Sequence, residues 1–235
     1  MILTTPFGKD LARDAMRKLR DYPHPLARPL ALCFVFDSAN AQFVGATCLE
    51  LGLTLDSALI TPSESMLAAI RLQWWIDAVQ DTVPAHAPLA QNLRILIENR
   101  PEMRDQLIYL IGQWQSACHD ENRNSQPAWR TLWQLLADRL NQPANTAAAI
   151  GLFCLSLNTP APPEITQRKR LLALRHKGVG DPSQWLYLLA CFGLYQRCGS
   201  RLRDENHEFT MLGWRVLLWW IGLPPHASKL VLEKH

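Results

Sequence analysis

Asp77 and Asp81 stand four residues apart in a stretch that reads as helix, and that spacing stacks two carboxylates one turn above each other. Such a pair can share a divalent cation. Without one, the two charges repel and need an arginine or open water. Arg71 lies within two turns of Asp77 and is a candidate partner, with Trp74 on the same stripe. A single DxxxD recurs by chance in helices, so two solvated carboxylates are the plainer reading of the pattern. Other chemistry is thinly represented. The strings GxGxxG, GxxxxGK[ST], HExxH and GxSxG are missing, and His24, His86, His119, His176, His207 and His226 are isolated from one another. The polar groups at 119–123 and 201–208 read as solvated helix ends.

Residues 70–81, IRLQWWIDAVQD, also resemble the IRLQWWRDALD segment of a branch of the squalene/phytoene synthase family. That branch includes bacterial phytoene synthase-like proteins and a mitochondrial factor that helps assemble respiratory complex I. Ile76 stands where the family has arginine. PLALCFVFDSANAQF (29–43) is similar to the helix that lines the family's cavity, NTAAAIGLFCLSL (145–157) to its small-residue helix, and RHKGVGDPSQWLYLLA (175–190) to the helix with the second metal motif. The likeness extends over most of the chain and is strong only at 70–81. It implies an all-α, single-domain helical bundle of the isoprenoid synthase type spanning residues 1–235.

Active members of that family hold Mg²⁺ on two facing acidic motifs, because an ionising allylic diphosphate concentrates negative charge on its leaving group. Here the first motif's positions fall near Asn40, Ala41 and Val44, with Asp37 out of phase by about one turn. The second motif's positions hold Tyr187, Ala190 and Cys191. Alanine and valine cannot bind Mg²⁺, and tyrosine and cysteine are poor ligands for it. The resemblance therefore implies a catalytically degenerate protein with no cofactor, in which Asp37, Asn40, Tyr187, Arg71 and Trp74 line a relic cavity. Such a protein would bind a partner protein or a prenyl-like lipid, with complex I assembly as the most concrete version. The rival is an active prenyl transferase holding Mg²⁺ at Asp77 and Asp81. A third reading is a structural helical adaptor with no cavity, its centre filled by Trp and Phe.

The elements that position these residues follow from periodicity. Apolar residues recur at 3.6-residue spacing throughout, and no segment alternates with period two. Helices are expected at 10–21, 28–51 (bent near Asp37-Ser38), 61–82, 88–99, 101–122, 127–141, 143–158, 164–177, 182–203 and 209–223. Proline opens most of them, because its fixed φ and missing N–H suit a first turn and disrupt later ones. Thr61 is the expected cap of the third segment from the N-terminus, with Pro62 and Glu64 following. In that segment Ala68, Leu72, Trp75 and Val79 form the apolar stripe. The 28–51 segment lacks a polar face and should be buried on most sides. Residues 159–163 are a brief Pro-rich hinge.

Bulk composition narrows the classes further. The 235 residues are 48% hydrophobic and 19% charged, with nine Trp, which implies broad apolar helix faces. A net charge of +3 without a basic face gives no nucleic-acid signature. Residues 1–10 lack the basic-then-apolar pattern of a signal peptide, and the runs 147–157 and 185–195 are half a membrane span. Six cysteines without CxxC read as buried free thiols. The expected compartment is the cytoplasm, with the Trp-rich 214–222 helix open to peripheral contact with a membrane.

Overall fold

The structure, a computed structural model, describes residues 7–155 (apart from 63 and 85), 162, 168–174, 184–199, 216 and 219. Among these residues the chain is all helical, with no strand. The elements are α1 (Lys9–Asp21), α2 (Ala27–Cys33), α3 (Ala39–Ile60), α4 (Ser65–Val79), α5 (Pro88–Asn99), α6 (Met103–Ala117), α7 (Gln126–Arg139), α8 (Ala144–Leu155), α9 (Arg168–Ala173) and α10 (Trp185–Gly199).

Helix α3 is the hub. It packs against α1, α2, α4, α5, α6 and α7, which explains why its sequence has no polar face. By length and composition it could cross a bilayer, yet two-thirds of its most apolar stretch is buried against its neighbours. A second group, α7, α8 and α10, joins the hub through α7 and returns to α2 through α10.

Several boundaries differ from the sequence expectation, most of all around α3 and α4. The 28–51 segment is two helices, since the chain turns at 34–38 and Ser38 Oγ accepts the Ala41 N–H at 3.3 Å to start α3 afresh. Helix α3 then runs on to Ile60, and Thr61 closes it by donating its N–H to Ser57 O at 3.0 Å instead of capping α4. Helix α4 begins at Ser65 after Glu64 and stops at Val79, short of Thr82. The expected stripe of Ala68, Leu72, Trp75 and Val79 is its buried face. Of the expected 209–223 helix, Val216 and Trp219 are described; both are helical and buried, with Trp219 5.8 Å from the Tyr195 ring. The hinge at 159–163 lies outside the described residues except for Pro162, which is buried.

Helical glycines let large rings approach the backbone. A Cβ on Gly45 would lie 2.4 Å from Phe34, one on Gly52 2.9 Å from Trp129, and one on Gly151 2.3 Å from Trp133. Each aromatic ring occupies the space that a side chain would need.

Candidate functional site

Asp37 is 8% exposed, and its carboxylate accepts the backbone N–H of Gln184 at 2.7 Å, immediately before α10. It therefore caps a helix 147 residues away in sequence, where a negative charge meets the positive end of the helix dipole. Asn40, half-buried at the start of α3, accepts a hydrogen bond from Arg100 at 2.9 Å. Tyr187 is fully buried in α10, one turn before Cys191. These three residues sit in structural contacts near the ends and interior of the bundle.

The acidic pair is not stacked. Asp77 is on α4 and accepts from Gln73 Nε2 at 2.8 Å, and Gln73 in turn accepts from Gln115 at 3.0 Å. Asp81 lies beyond the helix end with φ 63 and forms an exposed ion pair with Arg94. The expected arrangement fails because α4 ends at Val79, and a left-handed residue beyond it points its side chain off the helical stripe. Arg71 is exposed, and Asp77's side-chain partner is Gln73 instead. Trp74 is half-buried and meets Trp75 edge-on at 4.8 Å. Neither these residues nor Asp37, Asn40 and Tyr187 fit the donor set of a Mg²⁺ site, since each carboxylate is turned to a different protein partner. Among the described residues no three or more His, Cys, Asp or Glu side chains converge as a metal site would require.

The interior is occupied by a column of aromatic rings. Phe34 stacks on Trp185 at 5.4 Å, Trp185 on Trp133 at 6.2 Å, Trp133 on Trp129 at 6.3 Å, and Trp129 meets Trp114 edge-on at 5.6 Å. All five are at most 5% exposed. Pairs of this geometry add about 0.5–1.5 kcal/mol each beyond area burial. Asp56 accepts both the Trp114 and Trp129 indole N–H groups, at 3.3 and 3.2 Å. The indole nitrogens of Trp133 and Trp185 have no partner among the described residues.

Against known proteins the result is plain. No family model, curated protein or solved structure matches the chain.

One further site was missed by sequence reasoning. An open groove of about 340 Å³ lies between α1, α3, α4 and the start of α5, lined by Lys18, Asp21, Glu50, Thr54, Trp75 and 87–89. Glu50, in the middle of α3, is 8% exposed, and its Oε2 has no hydrogen-bond partner among the described residues. Burial pushes its carboxyl up to about 7, Lys18 opposes that shift and Asp14 adds to it. Lys18 does not neutralise Glu50, because its ammonium is 2.7 Å from Asp14. The signal in the sequence was a lone charge: Glu50 is the only charged residue between Asp37 and Asp56, on a helix otherwise built for burial.

The remaining polar groups act in support. Arg123, in the segment expected to be a solvated helix end, turns inward and donates to the Leu59 and Pro62 carbonyls, closing the C-terminus of α3. Cys33, Cys48, Cys118, Cys154 and Cys191 are buried. Burial pushes Cys48 and Cys191 up to about 12, so neither is a nucleophile near neutral pH.

Proposed function

We propose that this chain is a catalytically degenerate relative of the squalene/phytoene synthases that works by binding a protein partner. The observation that carries the reading is the aromatic column from Phe34 to Trp114. A protein that holds a prenyl chain inside its bundle needs open volume there, and here indole rings pressed against glycine backbones occupy it. The column thus favours an outer surface as the working part over a lipid-holding interior. Ile60, Met66, Leu67 and Ile70, all exposed at the α3–α4 corner, are apolar side chains of the kind that partner proteins cover. The lineage rests on the likeness of residues 70–81 to the family string, and help in assembling respiratory complex I is its most concrete form.

The rival, a prenyl transferase using Asp77 and Asp81, is weakened by their separation onto Gln73 and Arg94. Incubation with farnesyl or geranylgeranyl diphosphate and Mg²⁺ separates the two readings. No turnover and no Mg²⁺ binding are expected. Turnover that disappears in Asp77→Ala refutes the proposal. In the source organism, deletion of the gene should deplete assembled complex I on native gels, and fully assembled complex I removes the respiratory version.

A further inference from the structure

The Glu50 groove has the parts of a binding site that the partner-binding reading does not use. At about 340 Å³ it lies at the small end of ligand-pocket sizes. Among its lining residues is Glu50, whose buried Oε2 accepts no hydrogen bond from the described residues. One wall is the Trp75 indole, and 87–89 (Ala-Pro-Leu) add an apolar border. The Thr54 hydroxyl donates to the Glu50 backbone carbonyl at 2.7 Å, so it offers the groove only lone pairs.

The charge of the surroundings selects the sign of a ligand. Lys18 is held by Asp14, and Asp21 at the rim is held by Arg20. With those pairs closed, the unmatched charge is the Glu50 carboxylate. An anion would meet that carboxylate and Asp21, and Pro88 at the first turn of α5 supplies no N–H to receive it. A hard divalent cation would need about six oxygen ligands, more than Glu50 and Thr54 provide. A cation with an apolar body needs one carboxylate and an aromatic face.

We propose that this groove binds a small organic cation, an ammonium or guanidinium group on a short apolar stem, with the charge on Glu50 and the stem against Trp75. The proposal stands on the groove alone and is independent of the partner-binding reading. The charged and titratable groups facing Glu50 are Asp14, Lys18 and Asp21 of α1; the lining residues of α4 and α5 carry none. Asp14 is held low by its hydrogen bond to Lys18, and Asp21 by its hydrogen bond to Arg20, so both stay ionised at pH 5.5. Between pH 8 and pH 5.5, Glu50 is therefore the group in the groove that changes charge.

The test is calorimetric titration of the full chain with n-butylammonium and with agmatine, with n-butanol and n-butyrate as uncharged and anionic controls. Both cations should bind saturably at pH 8, and roughly thirtyfold more weakly at pH 5.5, where Glu50 is protonated. The controls should not bind, and Glu50→Gln should lose cation binding while melting at least as high as the wild type. Nα-acetyl-lysine methylamide distinguishes the source of the group: tighter binding than agmatine points to a lysine of another protein, weaker binding to a free amine, and either supports the chemistry. No saturable cation binding up to about 10 mM overturns the proposal. So does equal binding by Glu50→Gln or by the controls. If Glu50→Gln fails to fold, an affinity of the wild type that is unchanged between the two pH values overturns it instead.

Discussion

Two mid-helix glycines should respond to alanine in opposite directions. Gly112 in α6 has nothing within 4 Å of where a Cβ would stand. Gly151 in α8 would place that Cβ 2.3 Å from Trp133 Nε1 and 2.4 Å from Cδ1 and Cδ2. In either helix alanine removes the backbone-entropy penalty of glycine, a gain of about 0.5–1 kcal/mol. For Gly112→Ala that gain stands unopposed. For Gly151→Ala the indole must retreat by about an ångström, the gap between these distances and ordinary van der Waals contact. It cannot do so freely, because Trp129 and Trp185 stack on it at 6.3 and 6.2 Å. Overpacking of a constrained site costs up to about 3 kcal/mol, which leaves a net loss of about 2 kcal/mol. For a chain of this size, that lowers Tm by roughly 4–8 °C, while Gly112→Ala raises it by roughly 1–4 °C. Thermal and urea unfolding followed by far-UV circular dichroism and tryptophan fluorescence measure both. A Gly151→Ala protein that melts at or above the wild type refutes the claim that the aromatic column is rigidly packed against α8.

Other expectations follow from the same contacts. The Glu50 carboxyl is raised from 4.5 to about 7, so the folded state holds the proton more tightly than the unfolded chain. Its contribution to stability is complete below pH 4.5 and is lost as pH rises through 7; Glu50→Gln should remove that slope and stabilise the protein at pH 8 by roughly 1–3 kcal/mol, read from urea midpoints at pH 5 and pH 8. Asp37→Ala uncaps α10 and should cost about 1–2 kcal/mol, with Asp37→Asn recovering most of that loss because its side chain still accepts; denaturant unfolding compares the two. Cys33, Cys48, Cys118, Cys154 and Cys191 are buried, so a thiol reagent at pH 8 should leave these five unlabelled in the native protein and label them in urea.

The helices were legible wherever proline or an amphipathic stripe marked them. Helix α5 begins at Pro88 and ends at Asn99 as expected, and α1 differs by one residue at its start. The extent of α3 was not legible, because a helix apolar on every side has no stripe whose end can be seen, and its continuation through Gly52 and Asp56 resembles a linker in composition. Asp81 shows the limit of spacing arguments. Four residues place two carboxylates together only if the helix persists between them, and α4 ends two residues too soon. The aromatic column brings together residues from the C-terminal cap of α2, from α6 and α7 and from the start of α10, and pattern within one segment does not encode which rings meet. Gly45, Gly52 and Gly151 were its only trace in the sequence, as glycines placed inside helices without a turn to justify them.

The position of α3 also bears on how the chain comes to be folded. As it leaves the ribosome, this segment has the length and apolarity of a membrane anchor, and its later partners α4, α5, α6 and α7 all lie downstream. Its lateral surfaces stay uncovered until residue 139 has been synthesised. For that interval the nascent protein is exposed to membrane-targeting factors and chaperones that recognise apolar helices. Glu50, a single charge at the centre of the segment, then disfavours insertion into lipid by about 2.5–3.5 kcal/mol on translocon scales for comparable charged residues. The residue that loads the folded protein with a buried carboxyl thus biases the unfinished chain toward water.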